Sequence, residues 1–274
     1  MKNNGYLVAS DFDQTLSFND SGVVLSEMLG IAGFKEKVDG LARTQLVQQG
    51  AELAYLLRHD PAFRGVRREH LAAAGKQVRL KKNVDTLAQV FAAGIGGNTF
   101  PLHVISAAPV EVVRAALEGI VPPENIFGTE LQWDENTGEV CAVRRVAAGY
   151  GKVTVLQELE ARQHTSPDHT IYIGDGSSDL YVMHHVNSRD GHTVAVSESK
   201  SIGRVAARSV LSDNALSVLV PILEDILHWD SLRIRELFAA YGLALQDWDK
   251  IRTDWLTFRE PTPALANLPV ALAA

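Results

Sequence analysis

Cysteine is almost absent: the 274 residues hold one, Cys141. A single thiol excludes an internal disulfide and any zinc or iron–sulfur site built from several cysteines, and its plain reading is a small core residue. Long apolar runs are absent too. None approaches the roughly 20 residues that a membrane-spanning helix needs. The opening MKNNGYLVAS holds neither an apolar stretch of signal-peptide length nor a small-residue cleavage site. The expected location is the cytoplasm, with no membrane partner. An excess of positive charge is the third absence. With 26 Lys and Arg against 33 Asp and Glu, the net charge is −7. A phosphate backbone would be repelled on average, so nucleic acid is not an expected partner. What remains is an ordinary globular composition, 46% apolar and 22% charged, long enough for one large or two modest domains.

Four short apolar runs end in a polar loop: residues 6–10, 102–105, 170–173 and 192–196. Such runs, rich in Val and Ile, suit buried parallel strands. Helical spacing at 110–117, 152–159 and 179–186 separates them. The alternation predicts an α/β chain with a parallel sheet covered by helices on both faces. Residues 18–98 break the rhythm. Leu25, Met28 and Leu29, then Leu53, Leu56 and Leu57, then Leu87, Val90 and Phe91 follow helical spacing. About 80 residues are too many for a loop, so a helical domain inserted after the first strand is expected. From 21 to 98 eleven Lys and Arg stand against seven Asp and Glu; a basic lid over an anion site and a solvated helical surface are the two readings. Residues 131–133 and 139–142 around Asp134–Gly138 read as a β-hairpin. Residues 212–274 read as a helical extension containing Trp229, Trp248 and Trp255, packed on the core or, alternatively, forming a homodimer contact; the last dozen residues read as loosely held.

The chemistry lies at the ends of the strands. Asp11-Phe12-Asp13-Gln14-Thr15 follows the first run directly, and in open α/β sheets ligands bind at the carboxyl ends of strands. Two carboxylates about 4 Å apart repel by about 4 kcal/mol at an effective dielectric of 20, so such a pair calls for a cation, a proton or strong donors. Gly174-Asp175-Gly176-Ser177-Ser178-Asp179 follows the third run. It resembles a dinucleotide fingerprint, but Asp179 replaces the third glycine and Asp175 stands where a pyrophosphate would lie. Two carboxylates suit a hard divalent cation with oxygen ligands, and the glycines then serve a tight turn. Gly151-Lys152 opens a helix without a P-loop, since Val146 and Val153 occupy positions where Gly and Ser or Thr are required. Ser106 ends the second run, where its hydroxyl and nearby backbone N–H groups can hold an anion. No histidine has zinc-ligand spacing, and His103, inside a strand pattern, reads as a core residue.

In that order, Asp11-Phe12-Asp13-Gln14-Thr15, Ile105-Ser106, Gly151-Lys152 and Gly174–Asp179, the sequence resembles the haloacid dehalogenase superfamily, in its phosphoserine-phosphatase-like branch, over roughly residues 6–200. The resemblance implies a Rossmann-like core (1–17 and 99–211) and a helical cap (18–98); the C-terminal helical extension (212–274) has no counterpart in it. It implies a phosphatase that hydrolyses a small phosphorylated metabolite through an aspartyl-phosphate. Asp11 would be the nucleophile, and Asp13 the general acid and then base. Mg²⁺ would be held by Asp11, the Asp13 carbonyl and Asp175, with Asp179 completing or orienting the shell. Ser106, Lys152 and amides near Phe12 and Ala107 would bind the phosphoryl oxygens, and Thr15 would fix the loop. Asp13 separates this branch from dehalogenases, because a halide leaves without a proton. Asp20 lies near the place of a Glu that binds the substrate amine in phosphoserine phosphatases. Ser106-Ala107-Ala108 departs from their Ser-Gly-Gly and looks more like relatives acting on phosphocholine, phosphoethanolamine or other small phosphomonoesters. Arg43, Arg58, Arg64 and Arg67 read either as carboxylate-binding groups or as exposed salt-bridging arginines. The rivals are a phosphotransferase or mutase of the same superfamily and a phosphate-binding relative without activity.

Overall fold

The central strand is the first one. β1 (Leu7–Ser10) has all four residues buried, as expected for an apolar run covered on both faces. In a computed structural model describing residues 5–250, five helices follow it: α1 (Ser21–Leu29), α2 (Phe34–Thr44), α3 (Glu52–His59), α4 (Arg68–Gln77) and α5 (Val84–Ala93). The chain then alternates through β2 (Leu102–Pro109), α6 (Val110–Ala116), β3 (Ile126–Trp133), β4 (Val140–Arg145), α7 (Tyr150–Gln163), β5 (Thr170–Gly174), α8 (Leu180–Asn187), β6 (His192–Ala195), α9 (Lys200–Gly203) and β7 (Arg208–Ser209). The sheet order is β4-β3-β2-β1-β5-β6-β7. β4 runs antiparallel to β3, and the other pairs are parallel. β1 lies between β2 and β5, with Ser10 level with Val104 on one side and Ile173 on the other. From β1 the chain moves outward to β2 and β3, and from β5 outward to β6 on the other side, so a crevice opens beyond the carboxyl ends of β1 and β5.

Alternation along each strand builds the core. Leu7 and Ala9 of β1, Tyr172 of β5 and Ala195 of β6 join Val153, Leu156 and Leu159 of α7 and Val182, Met183 and Val186 of α8 in one buried cluster. On the opposite face Ile173 borders, with Leu87 of α5 and Ala215 and Val218, a cavity of about 10 Å³. That is no larger than one water site. Each fully buried Leu, Val or Ile contributes about 1.5–3 kcal/mol. His103 is the expected core residue. Its Nδ1 lies 3.1 Å from the Pro101 carbonyl and its Nε2 2.7 Å from Gln163 Nε2. Burial pushes its pKa down and so favours the neutral ring that this pairing requires.

The segment between β1 and β2 is helical, as its spacing predicts, and its two ends run side by side. The Phe18 N–H donates to the Arg79 carbonyl, and the Lys81 N–H donates to the Leu16 carbonyl. Beyond this neck α5 lies against β2, while α4 packs on α6 and α3 on β4.

The structure differs from the sequence reading at several places. The hairpin strand is longer: β3 begins at Ile126 and joins β2 in parallel before turning back as β4. Cys141, on β4, is half-buried rather than part of the core. The two-residue β7 adds an edge that no apolar run announced. The extension is only partly helical. A helical run from Ala215 to Ile226 passes from 3-10 geometry through α10 (Leu219–Pro221) into π geometry, and α11 (Ser231–Ala240) follows. Trp229 and Trp248 lie outside these elements, and Trp255 and the last dozen residues lie outside the described residues. Residues up to Ile234 form one compact unit, and those from Arg235 a second. Among the described residues no helix is long and apolar enough to cross a membrane.

Candidate active site

Three strand ends and one helix start meet beyond β1. The Asp11 N–H donates to the Ile173 carbonyl of β5 at 2.8 Å, which pins the first loop to the third. The loop then closes on itself. The Phe12 carbonyl accepts the N–H groups of Thr15, Leu16 and Ser17, and Gln14 takes φ 58°. This tight turn leaves Asp11 facing the crevice at 4% exposure. Lys152, in the first turn of α7, is fully buried. Its Nζ stands 2.8 Å from Asp11 Oδ1 and donates to Asp179 Oδ1 at 2.6 Å. The Asp11 contact is an ion pair off the hydrogen-bonding direction, so Asp11 Oδ1 is buried with no hydrogen-bond donor. Thr15 Oγ1 donates to Asp175 Oδ1 at 3.2 Å.

Asp179 is the most heavily bonded of the acids. Its Oδ1 accepts from Lys152 Nζ and from the Tyr172 hydroxyl, and its Oδ2 accepts the Asp175 and Gly176 N–H groups, both at 3.1 Å. This corrects the expected role of the glycines. Gly176 is in ordinary extended geometry at φ −136°, and Gly174 is required by a close approach. A Cβ on Gly174 would lie 2.5 Å from Asp179 Oδ2, well inside contact distance.

Asp13 points away from this cluster, toward the start of α1. Its carboxylate accepts the Ser21 N–H at 3.0 Å and the Ser21 hydroxyl at 2.7 Å. Burial, and next the charge of Asp20, push its pKa up to about 8 against the lowering effect of the Ser21 bonds. Near neutral pH it therefore carries a proton, as a general acid must. Asp20 itself caps α1, its Oδ1 accepting the Val23 N–H at 3.0 Å. Ser106 is fully buried two residues past Val104, and its hydroxyl accepts the Ala108 N–H at 3.1 Å. The Ala107 carbonyl accepts the Thr129 hydroxyl, and Thr129 Oγ1 also accepts the Ala147 N–H. Thr129 thus ties the C-terminal end of β2 to the loop before α7.

The charges do not balance. Burial and then Asp179 and Asp175 push the Asp11 carboxyl far above its ordinary range, with Lys152 opposing. Burial and Asp179 push Asp175 up to about 6. Burial alone would lower the Lys152 pKa, but the charges of Asp11 and Asp179 outweigh it and hold the ammonium charged. One buried lysine faces three carboxylates, and single oxygens of Asp11, Asp175 and Asp179 lie within 4.8 Å of one another. An all-oxygen donor set with surplus negative charge and a donorless oxygen on Asp11 fits a hard divalent cation.

The helical insert reaches this crevice. Gln48 Nε2 donates to the Ala148 carbonyl at 2.7 Å, and Glu52 accepts the Gly50 N–H at 2.8 Å. Gly50, at φ +90°, passes so close to the three core loops that a Cβ there would lie 3.0 Å from the Ala148 and Ser178 Cβ atoms and 3.2 Å from that of Ala107. Residues 48–52 are a strap across the crevice. The four arginines stand elsewhere. Arg43 bonds its own helix at the Asp39 carbonyl. Arg58 and Arg64 line a cavity of about 240 Å³ with Glu139, and Arg67 pairs with Glu139 at 3.8 Å.

The structure thus brings Asp11, Thr15, Lys152, Asp175 and Asp179 into one cluster, with Asp13 and Ser106 beside it in the same loops. Sequence reasoning missed Ser21, Tyr172, Thr129 and the strap. Ser21 carried a local signal, since it directly follows the helix-capping Asp20; Tyr172 meets Asp179 across a single turn, and Thr129 and the strap are joined to the site by long-range packing.

The profile of haloacid dehalogenase-like hydrolases matches residues 8–184, the stretch that carries every one of these loops, and the chain belongs to that family. Solved structures share its fold at low sequence identity. A HAD family hydrolase from Salmonella enterica subsp. enterica serovar Typhi superposes with a TM-score of 0.66 at 17% identity, over 81% of this chain and 72% of that one. A substrate-bound phosphoserine phosphatase superposes with a TM-score of 0.63 at 16% identity, over 78% and 97%. A phosphoserine phosphohydrolase-like protein from Francisella tularensis subsp. tularensis SCHU S4 gives 0.61 at 18%, over 78% and 99%. The fold is therefore that of the phosphoserine-phosphatase-like branch. No curated protein sequence matches the chain.

Proposed function

We propose that the protein is a Mg²⁺-dependent phosphatase of small phosphomonoesters that works through an aspartyl-phosphate on Asp11. The observation that carries this reading is the buried contact of Lys152 with Asp11, 2.8 Å apart, inside a cluster of carboxylates that a cation would complete. Family membership and the fold shared with phosphoserine phosphatases agree with it.

An Asp11 oxygen attacks phosphorus in line with the ester oxygen. As the bond to the ester oxygen breaks, Asp13 gives that oxygen its proton and the alcohol departs. Water then attacks the phosphorus of the aspartyl-phosphate, Asp13 takes the proton, and Asp11 is released as carboxylate. The Lys152 ammonium and the amides around Phe12 and Ala107, with Ser106, receive the phosphoryl oxygens. Asp11, the Asp13 carbonyl and Asp175 would hold Mg²⁺, with Asp179 orienting the loop; the ion supplies charge neutralisation for the phosphoryl group. The helices of the insert serve as a cap, with residues 48–52 closing over the leaving group and excluding water. The Ala107 methyl and Gly50 narrow that side, which favours compact leaving groups, and Asp20 near Asp13 suits a substrate amine.

A panel of small phosphomonoesters assayed with Mg²⁺ tests the proposal. Turnover of at least one compact ester is expected, abolished by EDTA and restored by excess Mg²⁺. Rates unchanged in EDTA would defeat the metal assignment, and silence across the panel would defeat the phosphatase reading.

A further inference from the structure

Tyr172 belongs to the core by its ring and to the site by its oxygen. The side chain is fully buried on β5, in the cluster formed with Leu7, Leu156, Val182 and Met183. A phenylalanine would fill that space equally well. What the core does not need is the hydroxyl, which donates to Asp179 Oδ1 at 2.7 Å. Lys152 Nζ donates to the same oxygen at 2.6 Å while standing 2.8 Å from Asp11. The ammonium is therefore shared by two carboxylates, and the phenol sits on only one of them.

We infer that Tyr172 is a positioning residue for Lys152: by bonding the Asp179 oxygen that Lys152 also uses, its hydroxyl weakens the pull of Asp179 and leaves the ammonium standing toward Asp11 and the phosphoryl group. This deepens the proposed phosphatase reading and rests on it. Hydrogen bonds to an ionised acceptor are roughly twice as strong as neutral ones, and in a buried site each donor on that oxygen counts for more than it would in water. The other Asp179 oxygen is already bonded by the Asp175 and Gly176 amides, so the carboxylate cannot turn to compensate. An ammonium has three donors. With one directed at Asp179 and the nitrogen in ion-pair contact with Asp11, a donor remains for a phosphoryl oxygen only while the nitrogen holds its place between them. Without the phenol, the undiluted Asp179 oxygen draws the ammonium away from Asp11.

The test is Tyr172→Phe in the full chain, with Tyr172→Met as a second variant that also lacks the hydroxyl but fills space flexibly. Binding of inorganic phosphate in the presence of Mg²⁺ is measured by calorimetry, beside steady-state kinetics on an ester the wild type hydrolyses and thermal unfolding. The expected result is phosphate affinity weaker by about tenfold or more, with a matching rise in KM and a melting temperature close to wild type. Unchanged phosphate affinity and KM with lowered melting temperature would overturn the inference, as would failure of both variants to fold, since either assigns the hydroxyl to the fold alone. If the wild type itself neither binds phosphate nor turns over an ester, the phosphatase reading fails first and takes this inference with it.

Discussion

Asp11→Asn is expected to lower turnover by at least about a thousandfold, the scale on which enzymes lose rate when a covalent nucleophile is removed. The reason is chemical. Asparagine keeps the volume of the side chain but offers a neutral amide that cannot form the acyl phosphate. The fold is expected to survive. Asp11 is buried beside two other carboxylates, and burial and repulsion by Asp179 already oppose its charge. An amide relieves that repulsion while giving up the ion pair with Lys152, and the two effects oppose each other. Steady-state assays beside thermal unfolding check both halves. Activity within tenfold of wild type would remove Asp11 from the nucleophilic role.

Lys152→Met is expected to damage both activity and stability. Lys152 is wholly buried and touches two carboxylates. Removing one partner of a buried ion pair costs about 3–5 kcal/mol, because the remaining charge stays buried and uncompensated. On the proposed reading the phosphoryl group also loses the Lys152 charge, so kcat/KM is expected to fall by more than about a hundredfold. The penalty should depend on pH. Without the ammonium the Asp11 and Asp175 carboxyls, both already pushed up by burial and by Asp179 with Lys152 opposing, rise further above their unfolded values. The folded variant then binds more protons than the unfolded chain, and its stability relative to wild type falls as pH rises. The loss of stability is expected to be larger near about pH 8 than near about pH 5.5, where protonation relieves the repulsion. Urea unfolding at the two pH values checks this; a penalty independent of pH would contradict the assigned role of Lys152 as counter-charge.

Much of this site was legible because its chemistry sits in short local motifs at strand ends. Asp11 and Asp13 follow an apolar run of the right length, and Asp175 and Asp179 follow another. Asp175 carries its side chain toward the same crevice because β5 lies beside β1 in register. Lys152 was legible from the order of the motifs and not from its own surroundings, since a lone lysine at a helix start is ordinary. What local pattern could not carry was pairing across the fold. Tyr172 reads in sequence as one apolar residue of a strand, and only the turn that brings Asp179 back over β5 gives its hydroxyl a partner. The strap at Gln48 and Gly50 lies far along the chain from the Ala107, Ala148 and Ser178 that it covers.

The elements tell the same story. β1 and β5 are uninterrupted apolar runs and were found. The first half of β3, Ile126–Glu130, is broken by Gly128 and ends on a charge, so its place beside β2 was set by packing. β7, only two residues long, has no pattern to detect.

A phosphoryl group that passes through Asp11 can be trapped there. Wild-type protein mixed with a turned-over phosphomonoester and Mg²⁺, quenched rapidly in acid, should gain the mass of one phosphoryl group. Peptide mapping should place it on Asp11, and Asp11→Asn should gain none. A modification on another residue, or hydrolysis in single-turnover conditions with no adduct at any time, would contradict the account.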